Sequence, residues 1–206
     1  MNGMNETIKE VYENAKAHGW HEKKRPFGEI CSLIHSEISE ALEEYRAKRP
    51  MEWYACTESE TNKVCYDGME KTGNKCHEIA CEYRDRKPEG IGIELIDAVI
   101  RILDWMGSEN VEIDDEPEKL VRMAGGAECM ELTLFPCFVT ELHRLVTEAY
   151  VCESAGNRAG CVTMMKRFIG AVLSFLQEYG EDGMGMLERK HEYNRTRTYR
   201  HGGKRC

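Results

Sequence analysis

Apolar residues recur at helical spacing along most of this chain. Plotted at about 100° per residue, Ile30, Ile34, Ile38, Leu42 and Tyr45 fall on one arc, which predicts an amphipathic helix over Phe27 to Arg46. Asn5 to Ala17 shows the same pattern through Ile8, Val11, Tyr12 and Ala15, with His18-Gly19 as its stop. Leu134 to Val151 and Ala159 to Tyr179 read as two further helices, and Gly185 to Asn194 as a last amphipathic one. The stretch from about Gly90 to Met106 differs in kind. Ile91, Leu95, Ile96, Val99, Ile102 and Leu103, with their apolar neighbours, occupy nearly the whole circumference. Only Glu94, Asp97, Arg101 and Asp104 interrupt it, in one narrow strip. A helix that is apolar almost all round is a buried helix.

Between these elements the periodicity fades. Pro50 ends the helix that begins at Phe27, and residues 51–89 form an insertion rich in Cys, Gly, Asn, Lys and Glu. Turns are expected there at Asp67-Gly68 and Gly73-Asn74. Residues 108–127 are polar and end in Ala124-Gly-Gly-Ala127, where a break is expected. Strand signals are nearly absent, so the expected fold is all-α, a single domain with four core helices in antiparallel pairs. An internal repeat fits this arrangement. Asp97 to Gly107 aligns with Gly170 to Gly180, and Ser36 to Glu40 with Thr140 to Arg144. Residues 134–180 then form a second, degenerate helix pair, although two amphipathic pairs also resemble each other through shared periodicity alone.

The acidic pairs carry the chemistry. Glu37 and Glu40, and likewise Glu94 and Asp97, stand three residues apart and share a helix face about one turn apart. Glu37 lies inside the inward-facing band of its helix, with Glu40 and Glu44 at the edge. Unpaired carboxylates do not enter a core without a large penalty. A hard divalent cation is the simplest compensation, and two such pairs facing one core supply four oxygen ligands. The bland alternative for the first pair is a solvated acidic face supported by Arg46.

Composition narrows the function. The chain has 206 residues, 41% hydrophobic and 32% charged, with a formal net charge of −9. That is an ordinary globular composition, and it argues against binding a nucleic-acid polymer, which needs a basic footprint. No apolar run reaches the roughly 20 residues of a membrane span, and Met1 to Thr7 has no signal-peptide pattern. A cytoplasmic protein with no membrane partner is expected. Of the ten cysteines, Cys31 and Cys137 sit in helical apolar patterns and are expected to act as small buried hydrophobes. Cys56, Cys65, Cys76 and Cys81, with His77, lie in the insertion without a CxxC knuckle. Reduced thiols, a structural zinc and redox chemistry all stay open for them, with plain thiols preferred. Against the acidic background, Lys190, Arg195, Arg197, Arg200, Lys204 and Arg205 make a basic tail, and the His201-Gly-Gly203 turn would let backbone N–H groups approach an anion.

ExxE followed by ExxD on a later helix resembles the MazG-like group of all-α nucleoside triphosphate pyrophosphohydrolases, related to the dimeric dUTPases. His18-Gly-Trp20, Arg25-Pro-Phe-Gly28 and Leu33 to Arg46 look like the opening of the compact members. Lys87-Pro-Glu-Gly-Ile-Gly-Ile-Glu-Leu-Ile-Asp97 and Lys190 to Lys204 carry the likeness further, though together these segments are under half of the chain. The resemblance implies Mg2+, with Mn2+ as a substitute, held by Glu37, Glu40, Glu94 and Asp97, the first two forming the catalytic pair. It implies hydrolysis of a nucleoside or deoxynucleoside triphosphate to the monophosphate and pyrophosphate. Lys190, Asn194, Arg197, Arg200 and Lys204 would close over the phosphates. Trp20, beside a basic loop, offers a ring that could stack on the base, although an aromatic at a helix stop more often just packs. Homo-oligomers are compatible with it. The chain departs from the family pattern in three places: Ser36 stands where a further glutamate is usual, Glu94 follows Glu40 by 54 positions (94 − 40) because of the insertion, and residues 108–184 exceed the compact pattern.

Two rivals stand beside this reading. The chain is a non-catalytic helical interaction protein if its carboxylates form inward-facing salt bridges with Arg101 and Arg144 and the insertion binds a partner. A carboxylate-bridged di-iron bundle requires Glu-x-x-His pairs, which the matching positions lack.

Overall fold

In the computed structural model, the described residues are 3–56, 64–66, 84–113, 117–123 and 132–200. They are mostly helical. The α-helices are α1 (Met4–Ala17), α2 (Phe27–Arg46), α3 (Ile91–Ser108), α4 (Pro117–Met123), α5 (Phe135–Ser154), α6 (Arg158–Glu178) and α7 (Gly183–Arg195). The strands are β1 (Trp53–Cys56), β2 (Val64–Tyr66) and β3 (Arg84–Glu89).

Helices α2, α3, α5 and α6 pack as two antiparallel hairpins side by side. In the first, Phe27 meets Trp105 near one end, with ring centroids 5.0 Å apart, and Glu37 meets Arg101 farther along. In the second, Phe138 stacks on Phe175 at 4.8 Å, and Glu153 pairs with Arg158 at the turn. The hairpins join through α2 and α5, which also run antiparallel. Tyr45 lies against Phe135 at one end, Gly28 against Tyr150 at the other, and the His35 and His143 Nδ1 atoms meet at 2.7 Å between them. Ile34, Ile38, Leu95, Ile96, Phe168 and Phe175 are among the core residues almost wholly removed from water. Each such side chain contributes about 1.5–3 kcal/mol relative to an exposed one. The encircling apolar pattern of α3 is thus explained: α1, α2, α6 and α7 all pack on it.

The insertion differs from the sequence expectation. Instead of a stretch without strands, its described part is an antiparallel sheet in the order β2–β1–β3, pairing Trp53 with both Tyr66 and Glu89. Its strands are too short to show a period, and their stability comes from cross-strand pairing and docking. Trp53 Nε1 donates to Glu44 Oε2 at 2.6 Å, tying the sheet to α2, and Arg189 clamps both oxygens of Glu52, tying it to α7. Residues 108–127 hold a second correction. They include α4, which packs on α6 and buries Leu120 completely. One apolar turn in a polar neighbourhood is too short to give a helical signal. Cys31 is buried as expected, but Cys137 is exposed, on the outer face of α5. Cys76, His77 and Cys81 lie outside the described residues, and Cys56 and Cys65 are described only as backbone on β1 and β2.

Among the described residues α6 has the length and composition of a membrane span, but 56% of that window is buried inside the protein, as befits a core helix.

Candidate metal centre

Glu37 projects from the middle of α2 and Glu94 and Asp97 from the first turns of α3. Because the two helices run antiparallel, these positions come level, and one ligand oxygen from each lies within 4.8 Å of the others. Glu37 and Glu94 are each 8% exposed. Glu40, one turn along α2, is exposed and accepts a 3.3 Å hydrogen bond from Ser36; its charge still acts on Glu37 and Glu94. The sequence-level foursome is therefore a buried group of three with a fourth carboxylate at its rim.

Two cations partly compensate the cluster, each through one oxygen of its partner. Arg101 Nε and Nη2 lie 3.1 and 3.0 Å from Glu37 Oε1. Lys190, from α7 and 1% exposed, places Nζ 2.8 Å from Asp97 Oδ2 and donates to the Pro88 carbonyl at 3.2 Å. Glu94 has neither a hydrogen bond nor an ion pair among the described residues. Burial accordingly pushes its carboxyl up to about 8; Lys190 opposes the rise, while Asp97, Glu37 and Glu40 add to it. Burial also raises Glu37, against the pull of Arg101. With all groups ionised, four carboxylates face two cations, a deficit of two positive charges. Hard oxygen ligands with a matching charge deficit suit a divalent cation such as Mg2+ or Mn2+.

The polar strip of α3 divides here. Asp104 belongs to a different network, receiving His21 Nε2 at 2.6 Å and Arg25 at 2.8 Å, which fasten the α1–α2 loop to α3. The Arg101–Glu37 pair matches the salt-bridge rival, but Arg144 does not: it is exposed and pairs with Glu141 and Glu148 on its own helix.

The remaining expected substrate residues are spread out. Asn194, one turn beyond Lys190, has a buried side-chain oxygen without a hydrogen-bond partner. The Arg197 carbonyl accepts from His18 Nε2 at 2.9 Å, and the Arg200 guanidinium pairs with Glu22 and reaches the Gly19 carbonyl. The described tail is thus docked on the loop after α1 rather than over the carboxylates. Half-buried Trp20 lies in that same loop, and Lys204 lies outside the described residues. A cavity of about 430 Å3 between Phe27, Trp105 and Arg158 includes none of the three clustered carboxylates in its walls. Sequence reasoning assigned no role to Lys87, which stands on β3 with its ammonium against Glu89 and within electrostatic reach of Glu94 and Tyr193. It lies in a stretch without periodicity, so nothing marked the direction it faces.

Comparison with protein-family models, with curated proteins and with solved structures finds no match.

Proposed function

We propose that the chain is a divalent-metal-dependent nucleoside triphosphate pyrophosphohydrolase of the MazG-like kind, converting a (deoxy)nucleoside triphosphate and water to the monophosphate and pyrophosphate. The observation that carries this reading is the convergence of Glu37, Glu94 and Asp97 within 4.8 Å, in a cluster short of positive charge. Those three, with Glu40 turning in from the rim, would hold Mg2+ or Mn2+. The ion would neutralise phosphate oxygens and ease deprotonation of the attacking water. Arg101 and Lys190 fix Glu37 and Asp97 through one oxygen each, so the ligands are oriented before an ion or substrate arrives. Lys190 and Asn194 share a face of α7 beside the acidic helix, where they would meet the phosphates. The fold reading that accompanies this is a MazG-type four-helix core, with α5–α6 as the ligand-poor counterpart of α2–α3. In its support, the second hairpin repeats the order and antiparallel run of the first. It carries Arg144, Arg167 and Gly170 at the positions aligned with Glu40, Glu94 and Asp97.

The test is a nucleotide panel with and without Mg2+, scored for pyrophosphate against single phosphate. Mg2+-dependent pyrophosphate release, lost in Glu94→Gln, is expected. Release of single phosphate, or no release from any nucleotide, overturns the assignment. The interaction-protein reading draws on the Arg101–Glu37 and Lys190–Asp97 pairs as internal compensation. It requires that Mg2+ neither stabilise the protein nor support turnover.

A further inference from the structure

The end of β3 reaches the carboxylates. Strand β3 leads into α3 through Gly90, and the Lys190 ammonium holds the Pro88 carbonyl while it holds Asp97, so the end of β3 is fixed relative to the acidic cluster. Side chains alternate along a strand, so Lys87 and Glu89 share the face opposite to that of Pro88. They pair at 2.5 Å on that face. The Lys87 side chain is 38% exposed, whereas the Lys190 side chain is 2% exposed. Burial works against the Lys87 charge. The pull of Glu89, followed by that of Glu94 and Tyr193, outweighs it and raises Lys87, so the ammonium is within electrostatic reach of the first carboxylate of α3.

A phosphate chain arriving at this cluster needs accessible positive charge, because the four carboxylates repel it. Arg101 is engaged by Glu37, Arg189 by Glu52, Arg195 by Glu10 and Arg200 by Glu22. Lys87 stands on β3 next to Pro88, whose carbonyl Lys190 holds, and pairs with half-buried Glu89 two residues along the same strand.

We propose that Lys87 is a phosphate-binding residue of this site, so that the end of β3 borders the substrate pocket and supplies a cation that receives the pyrophosphate portion. The inference rests on the pyrophosphohydrolase reading.

The probe is inorganic pyrophosphate with Mg2+, titrated calorimetrically into the full chain, alongside steady-state turnover and Mn2+ binding alone. Lys87→Met is expected to weaken magnesium pyrophosphate binding about 10- to 100-fold, the effect of one lost charge-assisted contact. KM should rise by a similar factor. Mn2+ affinity and melting temperature should stay near wild type, and Lys87→Arg should recover part of the loss. A purely structural role would lower the melting temperature of both variants and leave pyrophosphate affinity unchanged, which overturns the inference. If wild type hydrolyses nucleotides but Lys87→Met keeps its KM and pyrophosphate affinity, Lys87 is excluded and the enzyme reading stands. If wild type hydrolyses none but binds magnesium pyrophosphate in a Lys87-dependent way, the reaction is wrong and the phosphate site is right. No pyrophosphate binding by wild type overturns the inference.

Discussion

Arg101 holds Glu37 by one oxygen only: Nε and Nη2 both point at Oε1, at 3.1 and 3.0 Å. The contact joins α3 to α2 at the level of the acidic cluster. It neutralises one buried carboxylate without using both of its oxygens.

Removing the guanidinium strands that carboxylate in a nearly dry position. Arg101→Met is expected to cost about 3 kcal/mol in denaturant unfolding, the usual result of breaking a buried ion pair from one side. Adding Glu37→Gln should return much of the loss, because the uncompensated charge is gone. Strictly additive effects in the double-mutant cycle would show that the two groups do not interact.

The Glu94 carboxyl, raised by burial to about 8, makes stability depend on pH. An unfolded glutamate titrates near about 4.3. Below that value both states hold the proton and the contribution is fully present. Between there and about 8 only the folded state holds it, so the contribution falls as pH rises, by up to about 1.4 kcal/mol per unit. Above about 8 it is lost and flat. Glu94→Gln should therefore gain on wild type in melting temperature from pH 5 to 8, measured without metal. Parallel profiles would mean that Glu94 ionises as an ordinary glutamate. Ligation needs the carboxylate, so Mn2+ affinity should rise over the same interval.

The carboxylates should not be equivalent toward metal. Glu94→Gln and Asp97→Asn remove members of the buried group and should abolish both the thermal shift given by Mn2+ and pyrophosphate release. Glu40→Gln should weaken Mn2+ binding less, because Glu40 stands at the exposed rim. An equal or larger loss from Glu40→Gln would place the ion on the α2 side of the cluster instead.

Gly90 is the joint between β3 and α3, with φ +124°, and a Cβ there would stand 2.6 Å from the Met51 carbonyl oxygen and 2.8 Å from that of Pro50. Both contacts are with backbone and cannot be relieved by a rotamer change. Gly90→Ala should cost at least about 1–3 kcal/mol from the dihedral alone, with a further penalty from the overlap. It should also loosen Lys87 and Glu94 together. Wild-type unfolding behaviour in this variant would show that the β3–α3 joint tolerates rearrangement.

The sequence by itself determined the long helices and the buried character of α3. Each rests on a periodicity that a single segment carries, and α2 begins and ends at Phe27 and Arg46 as its apolar arc predicts. It also placed Glu37, Glu94 and Asp97 on inward faces, because burial of a helix position follows from its neighbours at i±3 and i±4. Only the tertiary structure decided what meets those faces. Lys190 reads as a tail cation, yet it is buried against Asp97 because α7 docks on α3, and no local pattern encodes that docking. Asp104 shares the strip with Asp97 but is claimed by His21 and Arg25, since the chain turns back at Gly19. The sheet was invisible for the same reason: Trp53 finds Tyr66 on one side and Glu89 on the other, and strands of three to six residues hold together only through such distant pairing. Periodicity reports which face of an element is dry. The partner across that face is chosen by the packing of the whole chain.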